Sequence, residues 1–515
     1  MKRIIYFLII LVMVFPLTAC FGENDSDPTP EAVIQVPEAT YEPTPSMLNG
    51  LTGQPPIHTL SSTEKFLEDL DYMLYVMRTN FALFDVAYWA HGVDIYAIID
   101  SAREAVLFNP EMAAEEFFDI FNYKFTPLRS IGHFTVISPA LHNSILNEPS
   151  GEMWRRFFSD TALGRLRAPN VIAFYESNQP VSLDIDRIMY DLYVRLSDMT
   201  EHEIRKNYAF LYNMLTARGE VELAEKFMQA LVAADIAEFF RLEMTYLQAV
   251  LANNITTRII EDGYIAYLAI DSFLAYPVPQ NEERQIFAFY EEIRDFGHLI
   301  IDLRFNGGGA PSWFYRTILE PNIDRSFVME GFAFFPYGVY TAEYSDISYG
   351  TPLNAIAGSL RSMDNYRRDV TNILEVYDLP DLNLFDMERM DYGFRTQTTI
   401  NPRAHYPRFS LEPTFQGNIW FLTDSHMGSA AEISTWAARE TGFATLVGEV
   451  TGGNYGGART VITLPNSGIA FMMDLFYVTD RYGRPFEAGT IPHIFNMDGM
   501  DALETVLTLI AVGEY

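Results

Sequence analysis

Apolar residues recur at helical spacing through most of the first half of the chain. Between residues 61 and 125 they follow one another at intervals of three and four, as in Phe66, Leu70 and Met73. Such spacing lines one face of an amphipathic helix with apolar side chains. We therefore predict an N-terminal helical domain at residues 57–145 and, from the same pattern, a helical insertion at residues 146–256.

The second half of the chain has a different pattern, in which short apolar, β-prone runs alternate with helical segments. Runs of this length are typical of buried strands. We expect strands at 264–270, 298–303 and 418–423 and helices at 281–294 and 430–439. Strands that alternate with helices indicate a mixed α/β core with functional loops at the strand ends. We assign residues 257–515 to this core.

The first 56 residues lack the pattern of a globular domain. Lys2 and Arg3 precede an apolar stretch, which is followed by Leu-Thr-Ala and Cys20. This arrangement predicts a signal peptide at residues 1–19, and it resembles a bacterial lipobox, in which the cysteine is lipidated. Residues 20–56 are rich in Pro, Thr, Glu and Asp, which predicts an extended linker. We expect a lipid anchor at Cys20 that holds the protein on the extracytoplasmic side of the cell membrane.

Composition and charge exclude several classes of function. The 515 residues include 35 Lys and Arg against 68 Asp and Glu, which gives a formal net charge of −33. Nucleic acids need a basic binding surface, so they are not expected as partners. Cys20 is the only cysteine, which rules out an internal disulfide, a zinc–thiolate site and a cysteine nucleophile in the folded part.

The stretch after the third predicted strand has the features of a nucleophile turn. Gly428 and Ser429 directly precede the helix expected from Ala430 onward. At a helix N-terminus, free backbone N–H groups and the helix dipole can stabilise a developing oxyanion, which suits a serine nucleophile. The spacing of Ser429 and Glu432 also fits a capping box, which is a structural feature only. These residues alone leave both interpretations open.

A second stretch places three glycines, Gly307 to Gly309, directly after an apolar strand. Without a Cβ atom the backbone N–H groups can approach a ligand closely, which suits one half of an oxyanion hole. A plain tight turn is the alternative. A phosphate-binding loop is disfavoured, because no Gly-Lys-Ser/Thr follows and the chain contains no lysine after Lys226.

Three motifs in sequence order give the chain a resemblance to a known family. They are Ile-Asp-Leu-Arg-Phe-Asn-Gly-Gly at 301–308, Ser-Ala-Ala-Glu at 429–432 and Val-Gly-Glu-Val-Thr-Gly-Gly at 447–453. From about residue 264 onward the chain thereby resembles the S41 peptidases, which include C-terminal processing proteases and tricorn-like enzymes. Ile-Gly-His-Phe-Thr at 131–135 resembles the Asp-Gly-His turn of the same family. The resemblance implies a ClpP/crotonase-like core, and no PDZ domain is recognisable in the sequence.

The resemblance also implies a catalytic triad. Ser429 would be the nucleophile, His133 the general base, and Glu487 the carboxylate that orients the imidazole. Glu487 stands one residue closer to the following glycine than the family pattern has it, and Ile131 replaces the aspartate of the Asp-Gly-His turn. A histidine beside a strand is otherwise most often structural, so the role of His133 depends on the resemblance.

The resemblance assigns the oxyanion hole to the backbone at Gly307, Gly308 and Ala430. Processing proteases of the family use a lysine shortly after the Thr-Gly-Gly motif, and the corresponding stretch of this chain has none. A tricorn-like histidine mechanism is therefore expected instead of a Ser–Lys dyad. His298 and His426 are rival candidates for the base.

We therefore expect an exported, membrane-anchored serine endopeptidase that hydrolyses peptide bonds in peptides or unfolded proteins through an acyl-enzyme. No metal or organic cofactor is needed for this chemistry. Two alternatives remain open. One is a catalytically inactive lipoprotein that binds a ligand or peptide in the same fold, and the other is a hydrolase that acts on esters or cell-wall cross-links.

Overall fold

The computed structural model describes residues 61–513 apart from 130, 149–150, 152–154, 156–157, 179–198, 236, 240, 243–253, 274–277, 347–360, 363–367, 403–413 and 455–458. The predicted signal peptide, the lipidation site Cys20 and the linker lie outside the described residues. Among the helices that the structure describes, none has the length and apolar character needed to cross a membrane.

Helices dominate the described chain up to residue 232, as the hydrophobic pattern predicts. The first begins after Ser61, whose hydroxyl accepts the N–H of Glu64 while the Glu64 carboxylate accepts the N–H of Ser61. This capping box satisfies backbone donors that have no partner within the helix. The helices are α1 (Ser62–Asn80), α2 (Phe84–His91), α3 (Ile95–Phe108), α4 (Ala114–Lys124), α5 (Pro139–Asn147), α6 (Asp160–Leu166), α7 (Pro169–Ser177), α8 (Glu201–Asn207), α9 (Ala209–Ala217) and α10 (Val221–Val232), with a 3-10 turn at Thr126–Leu128.

A six-stranded sheet forms the centre of the second half of the chain. Its strands, in chain order, are β2 (Ile255–Glu261), β3 (Ile265–Ile270), β4 (His298–Asp302), β9 (Asn418–Thr423), β10 (Thr445–Gly448) and β14 (Ile494–Phe495). Across the sheet the order is β14-β10-β9-β4-β3-β2, and all neighbours are parallel except β2 and β3. The three strands predicted from the sequence are thus confirmed as β3, β4 and β9.

The central strands are buried on both faces, which explains their continuous apolar runs. Leu299 and Ile301 of β4 belong to the main hydrophobic cluster, whereas Ile300 between them packs with the C-terminal helix α18 (Ala502–Val512). Helices cover one face of the central sheet and α18 covers the other. The ends of the strands are therefore the places where functional side chains can meet a substrate.

Two smaller antiparallel sheets flank the central one. The first contains β1 (Thr135–Val136), β11 (Arg459–Thr463) and β12 (Ala470–Asp474), in the order β1-β12-β11. The second contains β5 (Phe327–Phe335), β6 (Arg361–Ser362), β7 (Arg368–Asp369), β8 (Tyr392–Ile400) and β13 (Tyr477–Asp480), in the order β13-β5-β8-β6, with β7 also paired to β8.

The remaining helices connect these strands. They are α11 (Gln280–Glu292), α12 (Pro311–Phe314), α13 (Glu320–Asn322), α14 (Val339–Asp346), α15 (Val370–Val376), α16 (Leu384–Met387) and α17 (Ala430–Thr441), with a π-helical turn at Tyr315–Leu319 and a 3-10 turn at Phe486–Ala488. Helices α11 and α17 confirm the two that the sequence predicts in this region.

One hydrophobic cluster joins the N-terminal helices to the α/β core. It includes Met73 of α1, Ile301 of β4 and Ala437 of α17. Leu166 of α6 and Phe174 of α7 also belong to it, although these helices fall within the predicted insertion. The fold is therefore the predicted mixed α/β architecture with a helical N-terminal region, while the exact domain boundaries stay a prediction.

Helices α8–α10 have a separate core. Buried residues such as Leu215, Phe227 and Leu231 form a second cluster, and Phe305 from the loop after β4 packs against it. The part of the predicted insertion that forms its own unit is thus the part that touches this loop.

Candidate active site

Ser429 lies in the turn between β9 and α17, at the C-terminal edge of the central sheet. Its backbone has a φ of 56° and a ψ of −119°, and its side chain makes no capping hydrogen bond to α17. The carboxylate of Glu432 instead accepts hydrogen bonds from the hydroxyls of Thr451 and Thr490. The capping-box interpretation is therefore wrong, and the Ser429 hydroxyl is directed elsewhere.

His133 reaches Ser429 through the pairing of β1 with β12. The N–H of Asp474 donates to the carbonyl of Gly132 at 2.8 Å, and the N–H of His133 donates to Oδ1 of Asn454 at 2.8 Å. These bonds hold the turn so that Nε2 of His133 lies 3.3 Å from Oγ of Ser429. The structure thus brings together the nucleophile and the base that the sequence predicts.

Asp474 orients the imidazole, a role that the sequence does not predict for it. Its Oδ2 lies 2.7 Å from Nδ1 of His133, and its side chain is 1% exposed. If Nδ1–H donates to this carboxylate, Nε2 carries the lone pair that accepts the Ser429 proton, so the network assigns the tautomer. The one sequence signal for this role is that a carboxylate stands at the end of the apolar strand β12. Many surface strands also end in a carboxylate, so the signal is not specific.

Glu487 does not contact the imidazole ring, so its assignment as the orienting carboxylate is corrected. Its Oε1 accepts the backbone N–H of Gly132 at 2.7 Å, and its carbonyl oxygen lies 3.1 Å from Nε2 of His91. The Glu487 carboxylate thus supports the backbone of the His133 turn, while Nδ1 of the imidazole faces Asp474. Glu487 is therefore a residue that positions the turn.

The predicted oxyanion donors divide into two groups. The N–H of Gly308 donates to Oδ1 of Asn306 at 2.9 Å, so it is not available to an oxyanion and its assignment is corrected. Within the described part of the chain, the N–H groups of Gly307 and Ala430 donate to no protein acceptor. These two groups, beside Ser429, are suitable donors for a developing oxyanion.

Backbone strain is concentrated at this site. Five non-glycine residues in the described chain have positive φ, and four of them are His133, Phe305, Ser429 and Asn454. A non-glycine residue in this region costs about 1–3 kcal/mol and persists where surrounding contacts determine it, most often at functional sites. The hydrogen bond between His133 and Asn454 links two of the strained positions directly.

The pKa of His133 is lowered from its ordinary value. Burial is the main cause, because it disfavours the charged imidazolium, and the nearby Arg459 guanidinium acts in the same direction. Asp474 opposes both effects by its charge and its hydrogen bond. Arg459 also lies 3.5 Å from the second oxygen of Asp474. The imidazole is therefore neutral at pH 7, as a general base must be.

The two rival histidines do not contact Ser429. His298, at the opposite end of β4, accepts a hydrogen bond from Trp420 and lies 3.3 Å from the Tyr264 hydroxyl. His426 stacks on Phe305 with ring centroids 4.5 Å apart. In the described residues, no group of three or more His, Cys, Asp or Glu side chains is arranged to hold a metal ion.

The chain is similar to known peptidases in sequence and fold. Residues 264–495 match the model of peptidase family S41, whereas no curated protein matches the sequence. Among solved structures, a candidate peptidase from Parabacteroides merdae is 15% identical with a TM-score of 0.44, covering 88% of this chain and 97% of its own. Mature CPAF complexed with lactacystin is 12% identical with a TM-score of 0.44, covering 88% and 98%.

The photosystem II D1 C-terminal processing protease is a further similar structure, at 13% identity and a TM-score of 0.26 over 51% of this chain and 53% of its own. At such identities and TM-scores, the assignment rests on the sequence match. Residues 264–495, a little under half of the chain, are thus similar to peptidase family S41.

Proposed function

We propose that the protein is a serine endopeptidase with Ser429, His133 and Asp474 as its catalytic triad. The proposal is carried by one arrangement, in which the His133 ring lies 3.3 Å from Ser429 Oγ on one side and 2.7 Å from Asp474 on the other. The match of residues 264–495 to family S41 supports peptide hydrolysis. The lack of lysine after Lys226 favours a histidine over a lysine as the base.

Acylation follows from this geometry. Nε2 of His133 takes the proton from the Ser429 hydroxyl while Oγ attacks the carbonyl carbon of the peptide. The Asp474 carboxylate stabilises the imidazolium that forms, and the N–H groups of Gly307 and Ala430 donate to the tetrahedral oxyanion. The imidazolium then gives its proton to the leaving amine nitrogen, the C–N bond breaks, and an acyl-enzyme remains on Ser429.

Deacylation uses the same groups in reverse roles. His133 takes a proton from water, the hydroxide oxygen attacks the acyl carbon, and the second tetrahedral oxyanion accepts the same two N–H groups. Collapse of this intermediate returns the proton from His133 to Oγ of Ser429 and releases the carboxylic acid product. No step requires a metal ion or an organic cofactor.

Fluorophosphonate labelling of the purified full-length protein in detergent tests the proposal. Labelling of the wild type should be lost in Ser429→Ala and His133→Ala. Ser425→Ala is the matched control, because Ser425 lies in the same turn, and it should keep the label. Absence of labelling in a folded wild-type protein would instead favour the ligand- or peptide-binding lipoprotein.

We further propose that the substrate is a peptide or an unfolded protein outside the cytoplasm, and that Cys20 anchors the enzyme to the cell membrane. The support is the sequence alone: the basic start, the apolar stretch and the cysteine after Leu-Thr-Ala. Metabolic labelling with a radioactive fatty acid should modify the wild type but not Cys20→Ser. Equal labelling of both proteins would remove the anchor from the proposal.

A further inference from the structure

The oxyanion loop, residues 304–308, contacts helices α8–α10 of the insertion at two separate points. The family match begins at residue 264, so these helices lie outside it. They nevertheless meet the loop that carries the N–H of Gly307. We infer that helices α8–α10 act as a clamp on the oxyanion loop, with Arg218 and Phe305 as positioning residues for the reaction proposed above.

The first contact is made by Arg218, which directly follows α9. Its side chain is 2% exposed, and its Nε donates to Oδ1 of Asp271 at 2.7 Å. Its Nη2 donates to the carbonyl of Arg304 at 3.2 Å. One guanidinium thus joins the end of β3, through Asp271, to the first residue of the oxyanion loop. The N–H groups of a guanidinium point in fixed directions, so this buried side chain holds both acceptors in place. The ammonium group of a lysine cannot reproduce that geometry.

The second contact is made by Phe305, whose side chain points to the insertion while its backbone belongs to the loop. Phe305 has a φ of 67° and packs against the apolar cluster of α8–α10. The ring also stacks on His426, and the N–H of Phe305 donates to Asp424 at 3.2 Å. Phe305 thus contacts both the insertion and the turn that leads to Ser429.

These contacts add to those that the core itself makes with the loop. Inside the core, the Asn306 side chain donates to the carbonyl of Ile270 and accepts the N–H of Gly308. Before Asn306, Arg218 holds the carbonyl of Arg304 and the insertion cluster holds the ring of Phe305. The peptide plane that carries the N–H of Gly307 is therefore anchored on both sides of Asn306. A strained φ at Phe305 is maintained only while such contacts determine it. Without them, the loop can relax and the N–H can turn away from the oxyanion.

The test separates positioning from mere attachment of the helices. Arg218→Lys keeps the charge beside Asp271 but loses the fork, and Phe305→Gly permits the positive φ but removes the ring. A displacement of about 1 Å in a catalytic group costs roughly a hundredfold in rate. We expect each variant to lower kcat on a fluorogenic peptide by about that factor, with KM nearly unchanged and the pH midpoint of His133 unmoved.

Two matched controls lie elsewhere in the insertion. Arg205→Gln on α8 and Arg241→Gln beyond α10 each remove an exposed guanidinium, which pairs with Glu201 and Glu238 respectively. Both controls should keep the wild-type kcat. The affinity for a peptide boronate, which mimics the tetrahedral oxyanion, should fall in Arg218→Lys in proportion to kcat/KM, while the affinity for a product peptide should not.

A folded Arg218→Lys protein that keeps wild-type kcat and boronate affinity would overturn the inference, even if its melting temperature falls, since Arg218 would then only attach the insertion. This outcome differs from a failure of the proposed function itself. In that case the wild type would show neither peptide hydrolysis nor His133-dependent labelling of Ser429.

Discussion

The carboxylate of Asp474 and the imidazole of His133 are held together twice, once by side chains and once by backbone. Oδ2 of Asp474 lies 2.7 Å from Nδ1 of His133, and the N–H of Asp474 donates to the carbonyl of Gly132, the residue before the histidine. Both contacts follow from the register of β1 on β12. The orientation of the His133 imidazole therefore depends on a strand pairing that also belongs to the fold.

Substitution of Asp474 should separate chemistry from binding. Asp474→Asn keeps the side-chain size but favours the wrong imidazole tautomer and no longer stabilises the imidazolium. We expect kcat to fall by roughly four orders of magnitude, as for other triads, with little change in KM. Steady-state kinetics on a fluorogenic peptide measures this loss. Retention of most of the wild-type kcat would show that Asp474 is not the third member of the triad.

Glu487 should behave differently from Asp474 under the same assay. Glu487→Gln retains an amide oxygen that can accept the N–H of Gly132, so kcat should fall by less than about tenfold. Glu487→Ala leaves this buried N–H without an acceptor and should lower the free energy of unfolding by about 1–3 kcal/mol, measured by urea titration. A loss of kcat in Glu487→Gln as large as in Asp474→Asn would show that Glu487 takes part in the reaction itself.

The difference between these two carboxylates shows what the sequence could and could not predict. Ser429 and His133 stand in short motifs, and the strands β3, β4 and β9 have apolar runs that identify them locally. The partner of His133 depends on a contact between residues 341 positions apart, which no local pattern encodes. Glu487 has the family position but approaches the backbone of the His133 turn, and only the three-dimensional arrangement separates the two roles.

The oxyanion loop gives a second example of this limit. Its glycines predict a close approach of backbone to ligand, and Gly308 does approach Ser429 closely. The sequence could not predict that the side chain of Asn306 accepts the N–H of Gly308 and thereby withdraws it from catalysis. Nor could it predict that Phe305 packs against helices α8–α10, because this contact joins segments that no motif connects.

Burial and the charge of Arg459 should together lower the acid limit of activity. Burial is the larger cause of the lowered pKa of His133, and the Arg459 guanidinium adds to it, so the imidazole stays neutral at pH values where an ordinary histidine is protonated. kcat/KM should therefore rise with pH through a midpoint below 6.5 in the wild type. Arg459→Gln should move this midpoint upward. Arg484→Gln, which removes an exposed partner of Asp381 instead, is the control and should leave it unchanged.

The buried carboxyl of Glu432 should make stability depend on pH. Burial raises its pKa from 4.5 to about 7 in the folded protein, although the hydroxyls of Thr451 and Thr490 donate to it. Below pH 4.5 the carboxyl is protonated in both states, and the folded state has no penalty. As pH rises from 4.5 to 7, the unfolded chain ionises first, so the free energy of unfolding decreases by at most about 3 kcal/mol.

Glu432→Gln removes this titration. The free energy of unfolding, measured by urea titration from pH 4.5 to 8, should decline less steeply in the variant than in the wild type. The amide nitrogen that Glu432→Gln introduces cannot accept a threonine hydroxyl, so the substitution has a cost that does not depend on pH. Comparing the slopes of the unfolding free energy against pH removes this constant cost. Identical slopes in the two proteins would contradict the raised pKa.

Gly308 should tolerate no side chain, because its Cα faces the nucleophile turn. A Cβ atom at this position would lie 2.5 Å from the backbone nitrogen of Ala430 and 2.7 Å from Cβ of Ser429, at a φ of 95°. Gly308→Ala should therefore abolish labelling of Ser429 by fluorophosphonate and lower the melting temperature. Gly499→Ala is the matched control, since its φ of 74° imposes a similar backbone strain with no atom within 4 Å of the added Cβ.

The positive φ alone costs about 1–3 kcal/mol in either alanine variant. Because both variants carry this cost, any further loss in Gly308→Ala measures the collision with Ser429 and Ala430. Movement of those two residues would displace the attacking oxygen and one oxyanion donor together. Equal stability and equal labelling in the two variants would mean that the turn accommodates the added Cβ atom without loss of function. Close packing of the two loops would then not determine the position of Ser429.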